Sequence, residues 1–190
     1  MKKSRLSLSF ATCLAALLSA PQAHAGSWLK IGSDAAQPAG HMDYCARKPG
    51  DCRSAKVSAE LPPARMSVLE NVNLSVNRSM KLMDDKKNFG KTEYWTAGSS
   101  AGDCEDYALV KRLRLMREGY SASNLLLTVG SSKGIAHTVL VVRTRDGDFV
   151  LDNLNDKVTL VSEARMSFRK IQSPDNAKSW KWITGRTGKP

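Results

Sequence analysis

The chain has 190 residues, of which 42% are hydrophobic and 25% are charged, and its formal net charge is +11. This length predicts one folded domain with a sizeable core and excludes a large multidomain protein. The basic residues are spread along the chain without an aromatic-interleaved basic patch, which argues against nucleic-acid binding. The positive charge leaves two interpretations open: a basic exported protein, or attraction to acidic surfaces or partners.

The first 25 residues have the features of a secretory signal peptide. A basic start, MKKSR, precedes an apolar run over residues 6–18, and the small-x-small pattern Ala23-His24-Ala25 follows. The apolar run is too short for a membrane span, and no later segment is apolar enough to cross a bilayer. We therefore expect cleavage after Ala25 and export of a single domain, residues 26–190, to the periplasm or the medium.

Cysteine spacing predicts one disulfide and one free thiol in the exported domain. Cys13 lies in the signal peptide, so Cys45, Cys52 and Cys104 remain, an odd number for an oxidising compartment. Cys45 and Cys52 bracket the turn-rich segment ARKPGD and can close a short ring. The alternative is two reduced or separately placed thiols. If the ring forms, Cys104 has no partner.

The first half of the domain contains one clear helical pattern. Residues 26–63 are rich in Gly, Pro, Ala and Ser and predict irregular or extended chain, with one short helix near residues 42–47. A longer helix should follow Pro62-Pro63, because apolar residues recur at helical spacing. The stripe consists of Leu69, Val72, Val76, Met80 and Met83. Residues 84–90 are interpreted as a polar stop, and residues 96–102 as a Gly/Ser/Ala loop.

The stretch AGDCEDYALVKRLRLMREG, residues 101–119, predicts the next helix. Asp103 suits the N-cap position, and the acidic residues after it complement the helix dipole. Gly119 should end the helix as its C′ residue. The predicted apolar side consists of Ala108, Leu109, Leu115 and Met116. Cys104 therefore lies at the start of a helix.

Strand patterns follow this helix. Apolar runs predict strands over residues 125–129, 137–143, 148–154 and 158–161. The tail from Phe168 to Trp182 is mixed, with Trp180 and Trp182 as anchors. Helices that precede an antiparallel sheet in the chain indicate an α+β domain.

The hairpin over residues 137–154 decides whether His137 and Asp152 can meet. If Asp146-Gly147 forms a two-residue turn, Asp152 falls opposite Val141 and on the same face as His137, two pairs away. A connection with an odd number of residues would put the two side chains on opposite faces. Periodicity therefore permits this pair without proving it.

Cys104 has three candidate roles: a buried structural thiol, part of a metal site, or a nucleophile. The helix start lowers a thiol pKa, because free N–H groups and the dipole favour the anion. The flanking residues Asp103, Glu105 and Asp106 raise it, since negative charge disfavours a thiolate. An imidazolium or a bound cation would have to offset them.

A cysteine nucleophile also needs a proton acceptor and a group that orients it. Beyond the signal peptide the only histidines are His41, in the irregular region, and His137, which opens an apolar strand. His137 is a candidate base, with a structural role as the alternative, and Asp152 is the candidate orienting carboxylate. The N–H of Cys104 suits an oxyanion donor. The glycines of residues 96–102 could supply a second donor or serve only the turn into the helix.

Five motifs, in order, resemble the bacterial transglutaminase-like cysteine proteinases, a family that includes the periplasmic LapG-type adhesin proteases. They are DYCARKPGDC at 43–52, VNLSVNRSMKLMDDKKNFGKTEYW at 72–95, GDCEDYA at 102–108, AHTVL at 136–140 and FVLDNL at 149–154. The resemblance covers most of the exported domain. It implies a papain-like, transglutaminase-like α+β fold with helices packed on an antiparallel sheet.

The resemblance also implies a site and an activity. Cys104 would be the nucleophile, His137 the general base and acid, and Asp152 the orienting carboxylate of a cysteine endopeptidase. Asp103 and Glu105 would bind calcium, a hard cation that takes oxygen ligands; the alternative is that Asp103 only caps the helix and Glu105 is solvated. The expected partners are a periplasmic or cell-surface protein substrate and an inner-membrane regulatory receptor. The competing functions are acyl transfer and an inactive binding module.

Overall fold

The computed structural model describes residues 26–190, so the predicted signal peptide lies outside the described residues. The α-helices are α1 (Ala39–Arg47), α2 (Met66–Ser79), α3 (Asp85–Phe89) and α4 (Cys104–Arg117). The strands are β1 (Trp28–Ala35), β2 (Lys81–Leu82), β3 (Ala101–Gly102), β4 (Leu125–Ser132), β5 (Ile135–Thr144), β6 (Gly147–Asp152), β7 (Asn155–Leu160), β8 (Ser167–Gln172) and β9 (Trp180–Thr187). Short 3₁₀ turns cover Pro49–Cys52 and Ala122–Asn124.

Seven strands form one antiparallel sheet in the order β1-β9-β8-β4-β5-β6-β7, and β2 pairs with β3 in a small parallel ladder. Helices α2 and α4 pack against each other and against this sheet. The predicted α+β class, with helices packed on an antiparallel sheet, is confirmed. No helix within residues 26–190 is both long and apolar enough to span a membrane.

The core divides between the two faces of the sheet. Leu125 and Leu127 of β4 belong to the cluster that includes α2 and α4, whereas Leu126 belongs to a second cluster with Val139 and Val141. Successive strand residues point to opposite faces, so the unbroken apolar run LLL serves both clusters. Burying each such side chain contributes about 1.5–3 kcal/mol. This two-sided burial fixes β4 and β5 in the middle of the sheet.

The predicted stripe of α2 is buried from Leu69 to Met80, but Met83 is only half-buried and the helix is shorter than the stripe. Leu69 and Val76 are fully buried. The helix ends at Ser79, and Met80 adopts an extended conformation because Lys81 and Leu82 pair with β3. Met80 remains in the core, and its carbonyl accepts a hydrogen bond from the hydroxyl of Tyr107 at 2.7 Å.

The sequence interpretation missed helix α3 and the strands β1, β2, β3, β8 and β9. Residues 28–35, predicted only as irregular or extended chain, form β1, which pairs with β9 at the other end of the domain. The predicted polar stop at residues 84–90 contains α3. Its first turn is capped by Asp84, which accepts the Lys87 N–H at 2.9 Å, and Gly90 ends it at φ +70°.

Helix α4 ends as predicted, but one member of its apolar side was wrong. Gly119 has φ +89°, and the N–H of Tyr120 donates to the carbonyl of Leu115 at 3.0 Å. Leu115 is fully buried, whereas Met116 is 37% exposed. Met116 is turned about 100° from Leu115 around the helix axis and therefore faces solvent.

The cysteines pair as expected. A disulfide joins Cys45, in α1, to Cys52, in the following 3₁₀ turn. Both are buried against the cluster that includes α2 and α4. Among the described residues, Cys104 is the free cysteine.

Candidate active site

Cys104 is the first residue of α4 and follows β3 after a single residue, Asp103. Its Sγ accepts the backbone N–H of Thr138 at 3.4 Å, so the helix start lies directly against β5. The thiol also donates to Oε2 of Glu105 at 3.0 Å. The sulfur is thus held between the sheet and an acidic side chain of its own helix.

His137 and Asp152 form a hydrogen-bonded pair. Nε2 of His137 lies 2.8 Å from Oδ1 of Asp152, with the two side chains 5% and 20% exposed. The same Oδ1 accepts the N–H of Leu154 at 2.9 Å. Burial raises the pKa of Asp152, but the hydrogen bonds from His137 and Leu154 outweigh burial, and the pKa is lowered overall. Asp152 therefore holds a negative charge against the imidazole.

The hairpin register differs from the predicted one by two residues. Arg143 pairs with Asp148 and Val141 with Val150, so the turn residues are Arg145 and Asp146 rather than Asp146 and Gly147. A shift of two preserves the face of every side chain. Asp152 therefore still lies on the same face of the sheet as His137. It is one residue pair closer to His137 than in the predicted register, and a diagonal contact across the two strands can join them.

Cys104, His137 and Asp152 line one groove with a volume of about 880 Å³. Three large apolar side chains on its walls are strongly exposed: Leu82 at 62%, Ile135 at 74% and Leu154 at 61%. An apolar groove beside a polar constellation is the usual form of a substrate site. The structure thus brings the three predicted catalytic residues to one accessible place.

The charges around the thiol oppose its ionisation. Burial, followed by the charge of Glu105 and its hydrogen bond, raises the pKa of Cys104 far above the ordinary value. Burial and the charge of Asp103 also raise the pKa of Glu105, to about 9. Burial and these neighbours therefore favour the protonated thiol.

Three carboxylates converge behind the start of α4. Ligand atoms of Asp85, Asp103 and Asp106 all lie within 4.8 Å of one another. Each residue has one buried carboxylate oxygen without a hydrogen-bond partner in the described part of the chain. Asp103 occupies the predicted N-cap position, but its side chain makes no capping bond there. Its carboxylate belongs to this acidic cluster of Asp85, Asp103 and Asp106.

In two residues of the acidic cluster, the other carboxylate oxygen accepts a hydrogen bond from a backbone N–H. Asp85 accepts the N–H of Tyr94, and Asp106 accepts the N–H of Thr96 at 2.7 Å. A Cβ on Gly102 would lie 2.1 Å from Oδ2 of Asp106, so only glycine fits there. Preorganised, unpaired, buried carboxylate oxygens are the ligands that Ca²⁺ prefers. The residues present therefore fit a calcium ion.

Burial raises the pKa values of the acidic cluster. It raises the pKa of Asp106 to about 8 and that of Asp103 to about 6, with further contributions from neighbouring carboxylates. The sequence singled out Asp103 and Glu105 as metal ligands, yet the carboxylate of Glu105 lies against the thiol. Asp85 was missed because it comes from α3. Asp106 follows Asp103 at i+3, a spacing that puts both on one side of the helix.

His41, the other histidine of the domain, lies in the core. It is 1% exposed and its ring contacts the side chains of Gln37, Gln172 and Trp180. Burial, together with the charge of Arg112, lowers the pKa of His41 to about 4. His41 is therefore neutral at physiological pH and packs as a structural side chain.

The fold and the cysteine-centred groove define a papain-like cysteine peptidase class. The sequence model of the bacterial transglutaminase-like cysteine proteinase family, BTLCP, matches residues 31–187. The chain belongs to this family and is a transglutaminase-like cysteine peptidase.

One solved structure agrees with this assignment. Calcium-bound LapG of Legionella pneumophila is 26% identical, with a TM-score of 0.51 over 62% of this chain and 68% of that chain. The EGTA-treated form of LapG is 24% identical, with a TM-score of 0.49 over 62% and 66% of the two chains. No curated protein sequence matches the chain significantly.

Proposed function

We propose that the chain is an exported cysteine endopeptidase in which Cys104, His137 and Asp152 form the catalytic triad. The observation that carries this proposal is the 2.8 Å bond between His137 and Asp152 beside a thiol that contacts the N–H of Thr138. All three side chains line the same groove. A nucleophile, a base and an orienting group in one cleft are the parts of an acyl-transfer site.

The His137–Asp152 bond supports the following division of the proton transfers. Nε2 of His137 is bonded to Asp152, so Nδ1 is the ring nitrogen left to exchange a proton with the thiol. The thiolate attacks a peptide carbonyl, and the N–H of Cys104 stabilises the oxyanion. His137 then protonates the leaving amine. It next takes a proton from water, which attacks the thioester and restores the thiol.

Calcium belongs to this proposal through the acidic cluster. Asp85, Asp103 and Asp106 would hold the ion, because each offers a buried carboxylate oxygen without a partner in the described residues. Glu105, the other sequence-based candidate, would join them only by turning away from the thiol. Held there, the ion would supply positive charge at the start of α4. By offsetting the charge of Asp103, the ion would weaken one of the contributions that raise the pKa of Cys104.

The setting of the reaction is proposed from the sequence. Residues 1–25 would direct export to the periplasm or beyond and leave residues 26–190 as the active domain. The substrate would be a periplasmic or cell-surface protein. The three exposed apolar side chains of the groove, Leu82, Ile135 and Leu154, suit an extended peptide segment. Control by an inner-membrane receptor and the absence of nucleic-acid binding stay predictions.

Comparative terminal proteomics tests the activity. Cells that produce the wild type, Cys104→Ala or Met116→Ala are compared, the last being a control on the exposed side of α4. New protein termini that require Cys104 and survive the control substitution support the peptidase. New lysine–glutamine cross-links without new termini would favour acyl transfer instead. Identical proteomes in all three strains would contradict both activities.

A further inference from the structure

A second pocket, of about 330 Å³, adjoins the groove that holds the triad. Ala136 and His137 line both the groove and this pocket. Thr138, whose N–H contacts Sγ of Cys104 at 3.4 Å, lines the second pocket as well. We call it the side pocket; it extends from Thr138 on β5 to Trp182 on β9. The side pocket therefore begins beside the thiol, although the proposed mechanism assigns it no role.

Paired residues on four neighbouring strands line the side pocket from one end to the other. Thr138 of β5 pairs with Val129 of β4, which also pairs with Lys170 of β8. Lys170 in turn pairs with Trp182 of β9. Residues that are directly opposite each other point to the same face of the sheet. Because neighbouring strands lie about 4.8 Å apart, Lys170 is about 10 Å from Thr138, a distance that about three residues of an extended peptide span.

A β-bulge in β8 adds a second basic residue to the side pocket. Lys170 pairs with Val129 of β4. Phe168 pairs with Gly130, the next residue of β4, which leaves Arg169 without a partner on that strand. In a regular strand, two successive side chains would point to opposite faces of the sheet. Here the bulge redirects the chain, and Arg169 and Lys170 both line the side pocket.

The two basic side chains of the side pocket differ in their contacts. Nζ of Lys170 donates to the main-chain oxygen of Ala36 at 3.1 Å and lies 4.9 Å from the centre of the Trp182 ring. Arg169 is exposed, and none of the ion pairs within residues 26–190 includes it. Lys170 is therefore held in place by the chain, whereas the guanidinium of Arg169 is available to a ligand.

The carboxylate of Glu93 also lines the side pocket. Its Oε1 accepts the indole N–H of Trp95, so this carboxylate is already engaged. Within the described residues, the lining of the side pocket thus contains one carboxylate and two permanent cations. A planar guanidinium binds both oxygens of a carboxylate through two parallel hydrogen bonds. The ligand that fits this set of charges is a second carboxylate, supplied from outside the chain.

We infer that the side pocket is a specificity subsite for an acidic side chain of the protein substrate, with Arg169 as its principal ligand and Lys170 beside it. This inference rests on the proposed function. A peptide whose scissile bond lies at Cys104 reaches Lys170 about three residues away from that bond. The substrate class is therefore an extended segment with Asp or Glu at one fixed position near the cleaved bond.

The first experiment measures the cleavage preference on a peptide library. The full chain, with calcium added, is incubated with tryptic peptides of a bacterial proteome, and mass spectrometry identifies the new peptide ends. Cys104→Ala shows which of these ends require the thiol. Asp or Glu should be enriched at one position, about two to four residues from the cleaved bond and always on the same side of it. Cleavage that needs Cys104 but shows no acidic preference would overturn the subsite alone. A library without any Cys104-dependent ends would overturn the proposed function, and the subsite with it.

The second experiment assigns the preference to Arg169. Two synthetic peptides, with Glu or Gln at the enriched position, are cleaved by the wild type, Arg169→Gln and Arg117→Gln. The last variant removes the same charge from the exposed last turn of α4. In Arg169→Gln, kcat/KM should fall about fivefold for the Glu peptide, as expected for an exposed ion pair, and stay unchanged for the Gln peptide. Arg117→Gln should match the wild type on both peptides.

A charge reversal strengthens the assignment to Arg169. Arg169→Glu should prefer a peptide with Lys at the enriched position over the peptide with Glu there. Circular dichroism shows whether each variant is folded, and the unchanged rate on the Gln peptide is a second check. An equal loss on the Glu and Gln peptides, or an unchanged preference in both Arg169 variants, would overturn the role of Arg169.

Discussion

The pKa values of the carboxylates shift in opposite directions at the two ends of the active site. At the start of α4, burial raises the pKa of Asp106 to about 8 and that of Asp103 to about 6. At the end of β6, the pKa of Asp152 is lowered although its side chain is also largely buried, because hydrogen bonds outweigh burial. At the sheet end of the site, the imidazole of His137 stabilises the carboxylate of Asp152. At the helix end, the start of α4, the carboxylates have no such partner among the described residues.

This contrast indicates what each end requires. Asp152 is hydrogen-bonded to the imidazole of His137 and to the N–H of Leu154, so its charge is stabilised by the chain itself. The acidic cluster has unpaired oxygens and fixed backbone donors on its outer side, which leaves its centre for a cation. We therefore expect the sheet end to be independent of calcium and the helix end to depend on it.

The largest expected effect comes from Asp152→Asn, which removes the charge that orients His137. Proteolytic turnover should fall by about 10²–10⁴-fold, as expected when the base is held in the wrong tautomer. The control is Asp34→Asn, whose carboxylate is 85% exposed in an ion pair with Lys181. If Asp152→Asn turned over substrate within a few-fold of the wild type, the claim that the charge of Asp152 orients His137 would be contradicted.

Calcium should change the pH dependence of stability. In calcium-free protein Asp103 and Asp106 have folded-state pKa values of about 6 and 8, above the ordinary 3.8, so the folded state binds more protons than the unfolded state. The free energy of unfolding should then fall as pH rises from about 4 to about 8. Saturating calcium should remove this decline and add about 3 kcal/mol at a hundredfold excess over its Kd.

Thermal melts between pH 4 and 8, with calcium or with EGTA, measure this effect. Asp106→Asn should abolish the calcium-dependent rise in Tm, whereas Asp84→Asn, which keeps the cap of α3, should retain it. Equal melting curves with and without calcium in the wild type would show that the acidic cluster binds no ion.

A smaller effect is expected from Gly102→Ala. The new Cβ would lie 2.1 Å from Oδ2 of Asp106 and would displace that carboxylate. Calcium affinity, measured by calorimetry, should fall about tenfold through this misplacement. Gly98→Ala is the control, since its Cβ would meet no atom nearer than 4.0 Å. An unchanged affinity in Gly102→Ala would remove Asp106 from the ligands.

The smallest effect concerns Asp84, the carboxylate beside the acidic cluster that only caps a helix. Asp84→Ala removes the bond from the Lys87 N–H and should lower the free energy of unfolding by about 1 kcal/mol. Calcium affinity should not change. If Asp84→Ala lost calcium binding in titrations without denaturant, the metal site would extend to Asp84.

The sequence predicts elements well where the signal is local. Helix α4 and strands β4 to β7 have strong periodicity, and Gly119 ends α4 as expected. Strand β1 was missed because its pairing with β9 joins the two ends of the domain, and no local pattern encodes that contact. Helix α3 was missed because a polar five-residue helix differs from a loop mainly in its caps at Asp84 and Gly90.

The candidate site was predicted unevenly for a similar reason. Cys104, His137 and Asp152 stand out as polar residues at the ends of apolar elements, and strand parity permitted, without proving, that His137 and Asp152 share a face. The acidic cluster needs Asp85, from a different helix, and a backbone loop that no spacing rule supplies.

The most direct test of the central claim is the rate of Cys104 alkylation by iodoacetamide at pH 6.5 in calcium-loaded protein, compared between the wild type and His137→Ala. If the thiol, the imidazole and the carboxylate act as one unit, the wild type should react at Cys104 at least tenfold faster, because the imidazolium stabilises the thiolate. Equal rates in the two proteins would show that His137 does not activate Cys104 and would contradict the proposed triad.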